Sequence, residues 1–322
     1  MICRVATVAL ALGLVAIADA ELRDCDSCPE IIPIQAGSFQ MGTPVGAYEV
    51  NPESGEGPPL QVTLRRAFGI SRTEITVAQF AHFVAETGHR KTQVCNPTTT
   101  VSDQHPVTCV DFDDATAYSR WLSEKTGKSY RLPSESEWEF AARSGTSWPR
   151  PWGANNSFEG VSISLSCDNA NVYDVAAQEK YPQTWPYARC NDGFANLAPV
   201  ASFPASSFGL HDMVGNVREW TADCYTASYW GRPPDERAWT WTGGCEQRVV
   251  RGGGWLSRPA DARPARRHGV DASTRAGDLG FRVARALSAA ESPAPRGAMG
   301  QVILFSEDLD QAKDVWSQGL GY

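Results

Sequence analysis

The chain has 322 residues, 42% of them hydrophobic and 20% charged, with a formal net charge of −8. This is globular usage, enough for a large core in one or two domains, and it excludes intrinsic disorder. The acidic balance excludes nucleic acid as the main partner. The 28 Gly, 21 Pro and 11 Trp predict long irregular loops held by aromatic packing.

Residues 1–20 read as a signal peptide. Arg4 is a short basic region, Val5 to Ile17 an apolar run, and Ala18-Asp19-Ala20 a small-x-small cleavage site. A membrane anchor is the competing reading of that run. No other long apolar run follows, so the mature chain is expected to have no membrane span and to be periplasmic or secreted. Nine Cys occur; Cys3 falls in the signal and eight remain. An even count in an exported chain predicts disulfides between sequence neighbours: Cys25–Cys28, Cys95–Cys109, Cys167–Cys190 and Cys224–Cys245. Structural zinc is the rival, but only Cys25 and Cys28 have the spacing.

"EIIPIQAGSFQMGT" predicts a strand and hairpin turning at Gly37, and "LQVTLRRAFGISRTEIT" two short strands. Three helices follow. The first is capped by Thr76 with Gln79, buries Phe80, Phe83 and Val84, and stops at Gly88. The second is capped by Asp111 or Asp113, buries Ala115, Tyr118 and Leu122 beside Trp121, and stops at Gly127. The third is capped by Ser134 with Glu137 and turns Trp138 inward. From Ser144 to about Phe208 no long element is expected. Residues 286–300 are linker-like. Residues 301–322 read strand, turn, helix and resemble the opening of a glyoxalase-type module; a terminal appendage is the plain alternative.

"IPIQAGSFQMGT", "RTEITVAQFAHFV", "HPVTCVDFDDATAYSRWLSEKTGKSYRLPSESEWEFAARSG", "APVASFPASSFGLHDMVGNVREW" and "RVVRGGGWLS…GFRVAR" occur in order. Together they resemble the sulfatase-modifying factor, or formylglycine-generating enzyme, family over Ile31 to Arg285. The resemblance implies one domain, residues 21–285, with an α+β, C-type-lectin-related fold and little regular secondary structure. It implies oxidoreductase relatives that convert a cysteine of sulfatases, in a CxPxR segment, to formylglycine with O2 and Cu(I) on two thiolates. Other relatives act in ergothioneine synthesis or siderophore maturation.

In that family the segment after the glycines reads roughly GGS-aromatic-x-C-x4-C. Aligned on Gly252-Gly253, the copper cysteines fall at Ser257 and Ala262, and Gly254 stands where the family carries Ser. A hydroxyl and a methyl are poor ligands for soft Cu(I), so copper is not expected. The resemblance also implies two structural calcium sites. Asn171, Val172, Asp192 and Phe194 would form one; Asp212, Gly215, Val217 and Glu219 the other. Loop-capping is the alternative role for these Asn and Asp residues. The His residues, His82, His89, His105, His211 and His268, form no local iron-binding set.

Trp255, Arg258, Arg263 and Arg267, with Arg266, are candidates to line a cleft for a carboxylate-bearing ligand. The alternatives are a solvated face for the arginines and a core position for Trp255. The chain is thus expected to be an exported family member, serving maturation of an exported protein or peptide, sulfatases among them, without copper-dependent formylglycine generation. A non-catalytic module binding a protein partner or glycan on the same fold is the alternative.

Overall fold

The computed structural model describes residues 22–43, 55–89, 101–152 and 167–293. The expected signal peptide, Cys95 and the 301–322 fragment lie outside the described residues. The first compact unit ends at Ser292. The proposed linker begins inside it: the last strand runs to Ala286, and Glu291 accepts hydrogen bonds from Arg285 (2.9 Å) and Lys128 (3.1 Å).

Regular structure is sparse, as expected of an α+β fold of this kind. Among the described residues ten short strands form three sheets. The first sheet has the order β1 (Ile31–Ile34), β4 (Phe68–Ser71), β10 (Ala284–Ala286), β5 (Tyr130–Arg131). The second pairs β2 (Gly37–Met41) with β3 (Leu60–Leu64). The third has the order β8 (Arg267–Asp271), β7 (Gln247–Arg251), β6 (Arg218–Cys224), β9 (Leu279–Gly280), with β6 and β9 parallel. The expected hairpin at Gly37 is corrected here. β1 pairs with β4 and β2 with β3, so Gln35-Ala36 carries the chain between sheets. That connector lacks the Gly or Asn a tight hairpin demands.

The helices begin and stop where their capping residues dictate. Helix α1 (Val77–Thr87) has a reciprocal box between Thr76 and Gln79 and ends at Gly88, φ 68°. Helix α2 (Phe112–Thr126) is capped by Asp111, whose carboxylate accepts from Asp114 N at 2.9 Å, and ends at Gly127. Helix α3 (Glu135–Arg143) has the Ser134–Glu137 box. A short α4 (Val175–Lys180), started by Asp174, lies in the segment expected to be irregular. Phe80, Phe83, Tyr118, Trp121 and Phe281 form an aromatic core between α1, α2 and the third sheet, Phe80 and Tyr118 stacking at 5.9 Å. Bridges join Cys25–Cys28, Cys167–Cys190 and Cys224–Cys245, and Cys109 is also disulfide-bonded.

Every residue of α3 is buried, including Glu135, Glu137, Glu139 and Arg143. Burying a carboxylate is costly unless cations and donors meet it. Glu135 is met by three: Arg267 (2.6 Å), Arg251 (2.7 Å) and Arg232 (2.7 Å). Arg251 also reaches Glu139 at 2.8 Å, and Arg232 reaches Asp223 at 2.7 Å. Burial opposes charge on Glu135, but Arg251, Arg267 and Arg232 outweigh it and hold its pKa at about 2, below the ordinary 4.5. A folded-state pKa below the unfolded one means that the stabilisation is complete above pH 4.5 and is lost as pH falls towards 2. Glu135→Gln should therefore cost about 3–5 kcal/mol at neutral pH, by stranding buried guanidinium groups. Urea denaturation measures this; a loss below about 1 kcal/mol would contradict the account.

Candidate functional site

β7 delivers the chain into Gly252-Gly253-Gly254, and each glycine is set by close backbone approach. Gly252 (φ 95°) lies over the Trp138 ring, where a Cβ would come within 3.2 Å. A Cβ on Gly253 (φ 70°) would sit 3.1 Å from Ala262 Cα. On Gly254 it would meet Asn216 O, Arg218 N and Asp278 O at 3.2–3.3 Å. The backbone thus crowds the place a side chain on residue 254 would occupy.

Two tight turns follow. Ser257 N donates to Gly254 O (2.8 Å), and Gly254 N donates back to Ser257 Oγ (2.9 Å). Asp261 N then donates to Arg258 O at 2.8 Å. Ala262 is buried in an apolar cluster with Cys167, Ala170, Val172, Ala188 and Val214. The two expected copper positions hold a half-buried turn hydroxyl and a buried methyl. This donor set does not fit Cu(I).

The arginines divide. Arg263 and Arg267 are not cleft residues: both are buried and engaged by carboxylates. Arg263 grips Glu56 with both terminal nitrogens (2.9 and 2.8 Å), and Arg267 grips Glu135. Arg266 pairs with Asp261 at 3.0 Å. Arg258 alone of the candidate four is exposed, its guanidinium 5.6 Å from the Trp185 ring centroid. Trp255 is a core residue packed with Leu197 and Val217, 5.2 Å from the Tyr181 ring; its buried Nε1–H has no acceptor among the described residues.

Sequence reasoning missed two features. Arg218 forms a forked pair with Asp278 (2.9 and 2.7 Å), whose backbones flank Gly254. His268, on β8, is pushed down to about 4 by burial and by Arg266 and Arg218, so it is neutral at physiological pH. Local spacing does not signal the Arg218–Asp278 fork, whose partners are 60 residues apart, and the burial of His268 comes from the fold rather than from neighbouring Arg266 alone.

The two calcium candidates sit against this turn from the other side. Asp192 accepts from Val172 N (3.1 Å) and Phe194 N (2.8 Å), while its own N–H donates to Asp174 (2.7 Å). Burial, with a contribution from Asp174, pushes the Asp192 carboxyl up to about 7. Asn171 donates to Asn196 O (2.7 Å), but its Oδ1 is buried with no donor among the described residues. An orphaned amide oxygen beside a destabilised carboxylate fits a hard cation. In the second set, Asp212 accepts from Ala201 N (2.7 Å), and Glu219 is held by Arg282 (2.7 and 2.8 Å) and Trp138 Nε1 (2.7 Å). Arg282 already offsets part of the charge there, so the first set fits better. Among the described residues no three His, Cys, Asp or Glu side chains converge as metal ligands; both sets lean on amide and carbonyl oxygens.

Asn216 joins the two sets to the glycine turn. Its N–H donates to Asn171 O (2.8 Å), its carbonyl accepts from Trp255 N (2.8 Å), and its side chain donates to buried Glu74 (3.1 Å). Neighbouring Gly215 (φ 89°) lies so near Asn171 O that a Cβ would fall 2.4 Å away.

Residues 18–287 match the family model described as "Sulfatase-modifying factor enzyme 1-like domain". The formylglycine-generating enzyme of Streptomyces coelicolor is 31% identical over 300 residues, covering 79% of this chain and 88% of that one. The Bos taurus protein named inactive C-alpha-formylglycine-generating enzyme 2 is 29% identical over 306 residues, covering 79% and 87%. Among solved structures, PvdO from Pseudomonas aeruginosa superposes with a TM-score of 0.72 at 36% identity, covering 84% of this chain and 98% of that one.

Proposed function

The chain belongs to the sulfatase-modifying factor enzyme 1-like family, and from that premise we propose an exported member that serves maturation of a protein or peptide without copper-dependent formylglycine generation. One observation carries this reading: Ser257 closes a turn on Gly254, and Ala262 is sealed in an apolar cluster. Neither position offers the thiolate that would bind Cu(I) and support O2 chemistry. Relatives named formylglycine-generating enzymes support an exported protein or peptide client, sulfatases included. The basic, apolar and small-residue order of residues 1–20 supports export to the periplasm or outside the cell.

A second reading, a binding module on the same frame, rests on the missing thiolates at Ser257 and Ala262, not on the arginines. Arg263 and Arg267 are committed to Glu56 and Glu135, which leaves Arg258 on Trp185 as the solvent-facing cation of the candidate cleft. Calcium, in either reading, is structural. Asn171, Asp192 and the Val172 and Phe194 carbonyls would hold it, and it would offset the buried charge of Asp192.

Two outcomes are expected. Incubated with copper, O2 and a CxPxR peptide, the protein should yield no formylglycine by mass spectrometry, and Cu(I) titration should find no tight site. Ser257→Cys with Ala262→Cys should raise Cu(I) affinity; formylglycine from the unmodified chain would overturn the reading. Separately, chelation should lower the melting temperature, calcium should restore it, and Asp192→Asn should blunt that response. An unchanged melting curve in chelator would remove calcium from the account.

A further inference from the structure

The Cys224–Cys245 disulfide closes a loop rich in outward-facing aromatic rings. Trp230 is 78% exposed and Trp241 44%, among the few large apolar side chains on the described surface. Exposed indoles grouped on one loop offer apolar surface that a ligand can cover. This loop is held from below. Buried Asp223 accepts from Trp239 N (2.8 Å), Cys224 N donates to Trp239 O (2.9 Å), and Tyr225 N donates to Gln247 O (2.9 Å). Trp239 and Trp241 meet edge to face at 6.2 Å.

Beside Trp241, though not Trp230, is an open cleft of about 500 Å³, lined by Tyr225, Trp241, Cys245, Glu246, Gln247 and the backbone of Gly243 and Gly244. Tyr225 is clamped on its protein side. The Arg267 guanidinium lies 4.9 Å from its ring centroid, and a Cβ on Gly269 would fall 2.3 Å from Cδ1. The ring therefore packs against Arg267 and Gly269 on that side. A Cβ on Gly243 or Gly244 would meet nothing within 4 Å, so the floor there is open.

We propose that this cleft is a binding site for a neutral saccharide. Pyranose rings present an apolar C–H face that packs on indole and phenol rings. Their rim hydroxyls need both acceptors and donors, which the Glu246 carboxylate and Gln247 carboxamide supply. Among the described residues no Lys or Arg lines the cleft, which disfavours phosphorylated or sulfated ligands. The cleft shares no residue with the turn at Ser257 and Ala262, so the site is independent of the proposed family role.

The test uses the intact chain, labelled for indole N–H resonances, titrated with N,N′-diacetylchitobiose, cellobiose and maltose. At least one sugar should shift the Trp241 resonance. Trp241→Ala should weaken binding by about tenfold and Glu246→Gln by about threefold, with melting temperatures unchanged because both side chains are exposed. No shift at Trp241 with any sugar would overturn the proposal, as would undiminished binding by Trp241→Ala. Tetramethylammonium and a proline-rich peptide serve as comparators; a response to either of them alone would also overturn it.

Discussion

The structure turns on burying Glu135. It sits at the start of a fully buried helix, and only Arg232, Arg251 and Arg267 make that position tolerable. Those arginines come from the loop after β6, the end of β7 and the start of β8. One carboxylate therefore fixes three distant chain segments around α3. The same pairing sets the geometry downstream, since Arg251 immediately precedes the glycine turn. Trp138, three residues along α3, forms the floor beneath Gly252 and donates to Glu219. The helix thereby connects the arginine cluster, the glycine turn and the second candidate calcium set.

The turn itself is a frame of backbone contacts. Asn216 and Gly215 bind the loops of Asn171 and Trp255 together through contacts that tolerate little change. Nothing in that frame depends on sulfur at 257 or 262. Ser257 satisfies its own turn, and Ala262 fills apolar space with Cys167 and Val214. Fold and site chemistry are separable here, as they are on many scaffolds.

Local signals were readable in the sequence; long-range ones were not. The helix starts at Thr76 and Ser134 were legible because a capping box lies within four residues; the sequence narrows the second start to Asp111 or Asp113, and the fold selects Asp111. The role of Asp114 was not legible, since Arg275, which pairs with it and with Asp111, lies 161 and 164 residues away. The same distance effect misassigned Arg263 and Arg267. Their partners, Glu56 and Glu135, are 207 and 132 residues upstream, and a cluster of arginines in sequence resembles a ligand cleft until those partners are placed. The hairpin at Gly37 failed for a related reason: alternation marks a strand but does not name its neighbour. The ordered motifs, by contrast, pointed to the family because they span nearly the whole domain.

The central claim is that the arginines after the glycine turn are architecture. A double-mutant cycle on the buried Glu56–Arg263 pair tests it most directly, using Glu56→Gln, Arg263→Met and both together, read by urea denaturation. The account predicts that each single change costs more than about 2 kcal/mol and that the double costs much less than their sum. Two single changes that are nearly neutral and simply additive would contradict it, and would return Arg263 to the role of a ligand-facing cation.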